Sequence, residues 1–574
     1  MKSFHFVIFV FFVIQVNTQV LFKEEAISHG LFGTFGTGFV GGGISFYDFD
    51  SDGWDDITLG TQNGEHILFY KNTGGSFVQV YPNISDDVGE NKQVVWIDYN
   101  NDGLKDLYVS GYNYPNQLYR NEGDYDFTNV TEEAGLLLIN QPNFGATWGD
   151  YDNDGHVDVF LTMRSLEFSN RLFRNNGDGT FTDKSSFAGI SDEGHLSFCA
   201  SFIDYDKDGY QDIYIANDRI VTKNIMYHNN GDGTFSDASD VTSTALSMDA
   251  MSTAIGDYNN DGWMDIYITN TNYVYPNGET GNVLLKNNGN GTFANVSEET
   301  ETTFDSVAWG AVFLDAENDR DLDLYVSGML SDAYPLPSAF YENMGQNTYL
   351  IPDDVGFELD MKESYSNAIG DVDNDGFPDI VVSNEDDNMF LWKNLSSFST
   401  THNWLKVSLE GVQSNRDALG SLIEVNTNLG SVYRYVTSGE GYLGQNSSSE
   451  FFGLGDDTHI NYVKIDWLSG IDDLLLNVDV NQHIKIVEGS TLSVANEESF
   501  LTVYPNPVVD ILTFNNKNKN IKSIKLYNIL GNEIFTSKTN TTFGKLNLSH
   551  VRAGLYFVVF ESVDTREIIS LIKK

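Results

Sequence analysis

Short runs of apolar residues recur along most of the chain, and they alternate with polar residues or end at Gly- and Asp-rich turns. Examples are ITLG at 57–60, VFLTM at 159–163 and IYITN at 266–270. Alternation with a period of two predicts β-strands, and runs of this length between turn residues are typical of all-β domains. We therefore predict an all-β chain.

The strands belong to a repeat with a period of 50 to 58 residues. Each unit has an apolar stretch, an acidic loop, an alternating strand and, in most units, a further strand and a turn such as NNGDGTF at 175–181. Periods in this range are typical of propellers and solenoids, and four strands make one propeller blade. Seven units thus predict a seven-bladed β-propeller over residues 20–400, since ring closure removes exposed sheet edges.

The N-terminus of the mature chain is predicted to close this ring. Each full unit ends in an outer strand, such as FTDKSSFAGI at 181–190, but the seventh unit lacks one. The stretch VLFKEEAISHGL at 20–31 has the pattern of the missing strand. We therefore expect residues 20–27 to pair with residues 388–394.

Charge changes this picture, because 32 basic and 83 acidic residues leave a formal net charge of −51. Nucleic acid and anionic membranes are excluded as partners, since both require clustered Lys and Arg. Much of the acid lies instead in seven loops with the pattern Asp-x-[Asp/Asn/Glu]-x-Asp-[Gly]-x-x-Asp. The loops begin at Asp48, Asp98, Asp150, Asp204, Asp257, Asp315 and Asp371.

Each loop has oxygen ligands at positions 1, 3, 5 and 9, and all but the sixth have Gly at position 6. Carboxylates held this close repel one another unless a cation lies between them. A donor set of oxygens selects a hard cation, and six or more flexible ligands favour Ca²⁺ over Mg²⁺. Position 12 is apolar and lies in a strand, whereas an EF-hand requires Glu there. The loops therefore predict up to seven calcium sites.

The predicted ligands are the side chains at positions 1, 3, 5 and 9, with the backbone carbonyl at position 7 in every loop but the sixth. They are Asp48, Asp50, Asp52, Trp54 and Asp56; Asp98, Asn100, Asp102, Leu104 and Asp106; Asp150, Asp152, Asp154, His156 and Asp158; Asp204, Asp206, Asp208, Tyr210 and Asp212; Asp257, Asn259, Asp261, Trp263 and Asp265; Asp315, Glu317, Asp319 and Asp323; and Asp371, Asp373, Asp375, Phe377 and Asp379.

The sixth loop departs from the pattern, because Glu317 and Arg320 stand at positions 3 and 6. A left-handed turn costs a non-Gly residue about 1 kcal/mol, and a guanidinium repels a cation. We expect this site to be the weakest, with Arg320 partly replacing the metal. Calcium is expected to be structural, since Cys199 is the only cysteine and no intrachain disulfide can form.

The first 18 residues predict a secretory signal. Lys2 precedes an apolar stretch from Phe4 to Val16, and cleavage is expected before Gln19. The stretch is too short for a comfortable membrane span, and no other run approaches its length. We expect the mature protein to have no transmembrane segment.

Residues 30–400, with loops such as DFDSDGWDD at 48–56, resemble the FG-GAP/VCBS repeat family, a calcium-bearing propeller also found in integrin α-chains. Residues 403–487, with SGEGYLGQ at 438–445, resemble the ASPIC/UnbV domain, which follows FG-GAP repeats in the cartilage acidic protein-like family. The alternating pattern there indicates a compact β-domain. Candidates for a small polar site in it, with turn and packing roles as the alternative, are Asn415, Arg416, Asp417, Glu440, Tyr442 and Gln445.

After a predicted linker at 488–501, residues 502–574 alternate as strands with Gly turns and predict a small Ig-like β-sandwich. YPNP at 504–507 and the closing IKK resemble the type A sorting domain of the type IX secretion system of Bacteroidetes. The resemblance implies contact with the secretion machinery, passage through the outer membrane, removal of this domain, and a place at the cell surface or outside the cell.

We predict a binding protein rather than an enzyme, because the sequence has no nucleophile–base pair, no His spacing for a metal and no Gly-rich phosphate loop. Two forms of binding stay open. One is adhesion or protein docking across a face of the propeller. The other is calcium-dependent recognition of carbohydrate, with Trp54, Tyr210, Trp263 and Phe377 as stacking residues and packing between blades as the alternative role of these side chains. A glycan-active enzyme is a third alternative.

Overall fold

A computed structural model describes residues 20–574 except 86–87, 113, 138–140, 272, 274–277, 305, 330–337, 346–347, 358–359, 492–500, 505–506, 517–519, 529–532, 553 and 563–565. The predicted signal sequence and most of the predicted linker lie outside the described residues. The protein is all-β, with 48% strand and 3% helix, which confirms the predicted all-β class.

Seven sheets follow one another along the first part of the chain, each with four strands from residues 22–394, and the first gains a fifth strand from a later part of the chain. In order, their strands are β1 (Phe22–Glu24), β2 (Ile44–Tyr47), β3 (Asp56–Leu59), β4 (Leu68–Asn72), β5 (Phe77–Val80), β6 (Glu90–Ile97), β7 (Asp106–Tyr112), β8 (Gln117–Asn121), β9 (Phe127–Asn129), β10 (Asn143–Gly149), β11 (Asp158–Met163), β12 (Arg171–Asn175), β13 (Phe181–Asp183), β14 (Ser197–Ile203), β15 (Asp212–Asn217), β16 (Ile225–Asn229), β17 (Phe235–Asp237), β18 (Ala250–Gly256), β19 (Asp265–Asn270), β20 (Val283–Asn287), β21 (Phe293–Asn295), β22 (Val307–Leu314), β23 (Asp323–Met329), β24 (Ala339–Asn343), β25 (Tyr349–Leu350), β26 (Ser364–Gly370), β27 (Asp379–Asn384) and β28 (Phe390–Asn394).

The first six sheets each take four consecutive strands, beginning with β2, and the seventh contains β26, β27, β28 and β1. In the seventh sheet β1 lies antiparallel to β28, with Phe22 beside Asn394 and Glu24 beside Trp392. This is the position that the sequence pattern assigned to the N-terminal strand. The first strand of each sheet contacts the first strand of the next, and β26 contacts β2, so the sheets form a closed, propeller-like ring.

The core of the ring lies between neighbouring sheets. Trp148 of the third sheet is fully buried against Tyr108 of the second, with ring centroids 5.5 Å apart. Because each strand alternates, the side chains on both of its faces meet a neighbouring sheet and are buried. Short helical turns at Ile27–His29, Ser239–Thr242 (α1), Ser297–Thr300 (α2) and Ser396–Phe398 follow outer or third strands.

A second β-domain follows the ring. Its strands are β29 (Asn403–Glu410), β30 (Leu422–Thr427), β31 (Gly430–Tyr435), β32 (Gly444–Gln445), β33 (Ser449–Gly455), β34 (Ile460–Asp466), β35 (Asp472–Leu475) and β36 (Gln482–Val487). The sheets β33-β29-β36 and β31-β30-β34-β35 share one apolar core. The short strand β32 leaves this domain and pairs in parallel with β2 of the ring.

The last part of the chain forms two further sheets around their own core. The strands are β37 (Leu501–Tyr504), β38 (Ile511–Asn516), β39 (Ile521–Asn528), β40 (Glu533–Thr541), β41 (Phe543–Asn547), β42 (Gly554–Glu561) and β43 (Arg566–Lys573). The sheets are β37-β38-β41 and β40-β39-β42-β43, and Phe514 of one contacts Phe560 of the other. Among the described residues, no helix is both long and apolar enough to cross a membrane.

Candidate metal centres and the axial plug

The seven acidic loops lie on one face of the ring, here called the loop face, because each joins the first strand of a sheet to the second. Asp48 shows how position 1 builds the turn. Its two carboxylate oxygens accept hydrogen bonds from the backbone N–H groups of Asp52 (3.0 Å) and Gly53 (2.8 Å). Equivalent pairs occur in the other six loops.

The sixth loop keeps this turn although it lacks Gly. Asp315 accepts hydrogen bonds from Asp319 (2.9 Å) and Arg320 (2.8 Å), and Arg320 has a φ of 91°. The guanidinium donates to the Ser431 carbonyl of the second domain (3.4 Å). Among the described residues, Arg320 forms no ion pair within 4.0 Å, so this geometry gives no direct support to the predicted replacement of the metal by Arg320.

Position 9 is a buried acid in every loop, as Asp56 shows. Asp56 is fully buried, and it accepts hydrogen bonds from the N–H groups of Asn72 (2.7 Å) and Phe49 (3.2 Å). Burial, reinforced by neighbouring carboxylates, raises the pKa of Asp56 to about 9 and that of Asp48 to about 7. Without a cation, the charged forms of these acids are therefore unfavourable in the folded protein.

In four loops, carboxylate oxygens from positions 1, 3 and 9 lie within 4.8 Å of one another. These loops are Asp48, Asp50 and Asp56; Asp150, Asp152 and Asp158; Asp204, Asp206 and Asp212; and Asp371, Asp373 and Asp379. In the second and fifth loops, position 3 is an amide, Asn100 or Asn259. The sixth loop, with the longer Glu317, forms no such cluster among the described residues.

The oxygens at position 3 provide a test of whether a cation fits. One carboxylate oxygen of each of Asp50, Asp152, Asp206 and Glu317 is buried and has no hydrogen-bond partner among the described residues. Asp106 at position 9 has another such oxygen. A buried acceptor without a partner costs about 1–3 kcal/mol. Because these oxygens recur at one loop position and belong to hard ligands, the sites fit a divalent cation such as Ca²⁺.

In five of the seven sheets, a side chain on the third strand contacts an acid of the loop, which sequence reasoning did not identify. Lys71 contacts Asp50 and Asp52, and Lys393 lies 2.9 Å from Asp373 and 3.0 Å from Asp379. Six of the seven units have a basic residue at this position, and the remaining one, the sixth along the chain, has an acidic residue. The seven residues are Lys71, Arg120, Arg174, His228, Lys286, Glu342 and Lys393.

The next residue is Asn in every unit, and it joins neighbouring sheets. The side-chain amide of Asn229 donates to the Gln211 carbonyl of its own sheet (3.0 Å) and to the Tyr151 carbonyl in the preceding loop (2.8 Å). Five other Asn residues make the same cross-sheet hydrogen bond. The recurrence of this Asn in all seven units was the sequence signal that could have identified it. The set is Asn72, Asn121, Asn175, Asn229, Asn287, Asn343 and Asn394.

The proposed sugar-stacking residues lie on the outer part of the loop face. Trp54, Tyr210 and Trp263 are partly exposed, and Tyr210 and Trp263 lie close against the turn glycines Gly231 and Gly289 of their own sheets. Phe377 is only 5% exposed. Burial therefore excludes Phe377 from sugar stacking, which corrects the expectation for that residue.

Residues 438–447 of the second domain, here called the axial plug, enter the centre of the ring. Gly441 donates its N–H to the Thr253 carbonyl (3.0 Å), and the Tyr442 hydroxyl donates to the Val40 carbonyl (2.7 Å). The plug contacts all seven sheets. A contacted residue in each, in chain order, is Ile44, Trp96, Thr147, Phe198, Thr253, Trp309 and Ile369.

Three of the six residues predicted as candidates for a polar site lie in the axial plug, where they make packing contacts. Tyr442 is fully buried between Phe198 and Trp309. The Gln445 amide pairs with the backbone of Trp96, accepting at 2.8 Å and donating at 2.7 Å. Glu440 accepts a hydrogen bond from Asn446, and its burial raises its pKa to about 8. These residues therefore have packing contacts, which matches the alternative considered for them.

Of the other three candidates, Arg416 and Asp417 anchor the second domain on the loop face, and Asn415 forms a turn within that domain. The Asn415 amide donates to the Leu419 carbonyl (2.9 Å) and forms a turn. Asp417 contacts Lys105 and accepts the N–H of Asp98 (2.7 Å), and Arg416 lies 3.6 Å from the Asp98 carboxylate. Asp417 and Gln445 line the same small cavity, of about 50 Å³, so these residues form an interface rather than an open site.

The ring, the acidic loops and the axial plug place this chain in a class of all-β proteins that have a propeller-like ring of acidic repeats. A model of the FG-GAP-like repeat matches residues 48–109, 98–161, 163–215 and 204–268. A model named ASPIC and UnbV matches residues 411–493, and one for a secretion system C-terminal sorting domain matches residues 502–574. The chain therefore carries FG-GAP repeats, an ASPIC/UnbV domain and a sorting domain, which confirms the three resemblances.

Part of this chain is similar in sequence to two relatives. Cartilage acidic protein 1 of Xenopus tropicalis is 25% identical over 269 residues, which is 43% of this chain and 38% of that protein. The Homo sapiens protein is 25% identical over 187 residues, 31% of this chain and 28% of that protein. The chain thus matches well under half the length of these relatives.

Among solved structures, the match to YCF48 bound to D1 peptide covers 63% of this chain and 94% of that chain, at 8% sequence identity and a TM-score of 0.38. The match to YCF48 from Cyanidioschyzon merolae covers 63% of this chain and 98% of that chain, at 12% sequence identity and a TM-score of 0.37.

Proposed function

We propose that this chain is an exported, calcium-binding protein whose seven sheets are the blades of a β-propeller and which acts in adhesion or ligand binding. The observation that carries the proposal is the recurrence of buried, unpaired carboxylate oxygens at position 3 of the acidic loops. A chain that bound no cation would keep these acceptors unsatisfied in several blades.

Calcium is proposed to be structural, with up to seven sites and the weakest at Asp315. Bound Ca²⁺ would supply positive charge to carboxylates that lie within 4.8 Å of one another. A site held tenfold above its dissociation constant stabilises a fold by about 1.4 kcal/mol. Several such sites approach a typical domain stability of about 5–15 kcal/mol. The ASPIC/UnbV domain rests on the same loops, as Lys406 lies 3.7 Å from Asp371.

We propose that the sorting domain at residues 502–574 directs export. Its presence supports secretion to the cell surface through the type IX system. We propose an Ig-like sandwich for its two sheets and a cleaved signal at residues 1–18. The domain boundaries predicted above remain part of this proposal. So does the absence of catalysis, since the clustered carboxylates are assigned to metal loops.

Removal of calcium tests the proposal directly. Purified full-length protein should contain several Ca²⁺ ions per chain by elemental analysis, and EGTA should lower its melting temperature by about 10–20 °C. Added Ca²⁺ should restore the melting temperature, whereas Mg²⁺ should not. In a matched pair, Asp152→Asn should lower the calcium content by about one ion, and exposed Asp178→Asn should not. Calcium-free protein with an unchanged melting temperature would contradict the proposal.

A cavity favours carbohydrate recognition as a second candidate function. It has a volume of about 350 Å³ and lies between the third and fourth sheets. Phe187, which is 68% exposed, and Tyr210 supply aromatic surface there, beside Lys184 and Asp232. An aromatic face next to polar groups suits a sugar ring. Binding to a glycan array in Ca²⁺, lost on Phe187→Ala, would support this candidate, and retained cell adhesion with a silent array would exclude it.

A further inference from the structure

The fourth loop differs from the others in the side chain that enters it from the third strand. His228 on β16 places Nδ1 3.2 Å from an oxygen of Asp212 and 3.5 Å from an oxygen of Asp206. Basic side chains at this position elsewhere are Lys or Arg, which have donors but no acceptor. A neutral imidazole offers a lone pair and is a common metal ligand. Among the six units with a basic residue at this position, only this one has a side chain that can join a metal site instead of opposing it.

The local geometry prepares that nitrogen for a ligand. Nδ1 of His228 is buried and lies within ion-pair distance of Asp212, but it makes no well-oriented hydrogen bond among the described residues, and Oδ1 of Asp206 has no hydrogen-bond partner there. The imidazole lies edge-on to Tyr205, with ring centroids 5.9 Å apart. Ligand atoms of Asp206, Asp208 and His228 lie within 4.8 Å of one another, and so do those of Asp204, Asp206 and Asp212.

The separations suit a small transition-metal ion. Ligands bound at about 2.0–2.2 Å in tetrahedral or octahedral sites lie roughly 3.0–3.5 Å apart. The two distances from Nδ1 to the carboxylates, 3.2 and 3.5 Å, fall in this range. Mixed imidazole and carboxylate donors favour ions such as Zn²⁺ or Mn²⁺, whereas the all-oxygen loops suit Ca²⁺.

We propose that the loop at Asp204, completed by His228, is a site for a divalent transition-metal ion of the Zn²⁺ class. The ligands are His228 and the carboxylates of Asp206 and Asp208, whose ligand atoms lie within 4.8 Å of one another, with Asp212 3.2 Å from Nδ1 of His228. The inference rests on the proposed function only in taking these loops to be cation sites. It adds that one of the seven differs in the ion it selects.

The test uses untagged full-length protein saturated with Ca²⁺ and titrated calorimetrically with Zn²⁺ alone. We expect one tight Zn²⁺ ion per chain. His228→Lys, which restores the side chain found in other loops, should weaken Zn²⁺ binding at least tenfold and leave the Ca²⁺ content of the other loops unchanged. His459→Gln, at an exposed histidine outside the loops, should have no effect. With Mn²⁺ as the probe, pulsed electron paramagnetic resonance should detect one directly bound imidazole nitrogen, which is absent in His228→Lys.

A gain of binding provides the complementary test. The third loop has the same three-carboxylate cluster but Arg174 at the entering position. Arg174→His should therefore create a second Zn²⁺ site. Zn²⁺ binding that survives His228→Lys, or calcium binding with no Zn²⁺ binding, would overturn this inference alone. Failure of Ca²⁺ to bind anywhere, with one His228-dependent Zn²⁺ ion, would overturn the proposed function and leave this inference standing.

Discussion

The ring and the axial plug differ in the chain separation of the residues that they bring together. In the ring, Asp48 contacts residues four and five positions away, and Asn229 reaches a carbonyl 78 positions away. In the plug, Ser438 contacts Thr147 across 291 positions, and Tyr442 contacts Val40 across 402. The ring repeats one set of short contacts seven times, whereas the plug makes its long contacts once.

This difference predicts unequal sensitivity to mutation. A change in one acidic loop alters one of seven similar sites, and six remain. A change in the plug alters contacts to all seven sheets at the single axis that they share. The following predictions place the two regions on one stability scale.

The largest effect is expected from the plug. Tyr442 is fully buried, and truncation of a buried aromatic side chain costs about 3–5 kcal/mol. We expect Tyr442→Ala to lower the free energy of unfolding by that amount, measured by urea denaturation in saturating Ca²⁺. Tyr81→Ala, at an 81% exposed position, is the control and should change it by less than about 0.5 kcal/mol. Equal effects of the two variants would remove the distinction drawn here.

A smaller effect is expected from the contacts between blades. Asn229→Ala removes donors to Tyr151 and Gln211 and leaves buried carbonyls unpaired, which costs about 1–3 kcal/mol. Its neighbour Asn230 bonds only to exposed side chains, so Asn230→Ala should be nearly neutral. Urea denaturation of both variants measures the difference. An Asn229→Ala effect larger than that of Tyr442→Ala would reverse the predicted ranking.

The last effect, measured as a slope with pH rather than as stability at one pH, is a pH dependence at the plug. Burial raises the pKa of Glu440 to about 8, from an ordinary value near 4.5. The folded state therefore holds a proton that the unfolded state releases, so this contribution to stability is complete below pH 4.5 and is lost as the pH rises towards 8. Glu440→Gln stays neutral and should flatten the fall in melting temperature between pH 5 and 8, in saturating Ca²⁺. Exposed Glu132→Gln is the control. An unchanged slope in Glu440→Gln would contradict the assignment.

Local patterns allowed much of the ring to be predicted. The acids at positions 1 and 9 of each loop lie at the ends of the first two strands because alternation and the turn determine them within nine residues. The pairing of Phe22–Glu24 with β28 could be anticipated, since an outer strand was missing from the seventh unit. Asn229 and its equivalents were visible as a repeat, but their role as bonds between sheets depends on which carbonyl the closed ring brings near.

Single-copy contacts could not be predicted in this way. SGEGYLGQ suggested a turn, but nothing within it indicates that Tyr442 reaches the far side of a ring built from residues 20–400. The orientation of Arg320 towards Ser431, rather than towards its own loop, likewise depends on the docked second domain. The placement of His228 beside Asp206 required the register between the second and third strands.

The sequence by itself determined the all-β class, the sevenfold repeat and the acids available in each loop, because those features depend on residues close together in the chain. Only the tertiary structure decided which side chain entered each loop and what occupied the axis of the ring. Those outcomes depend on closure of seven sheets around residues 438–447, and closure brings together side chains from distant parts of the chain.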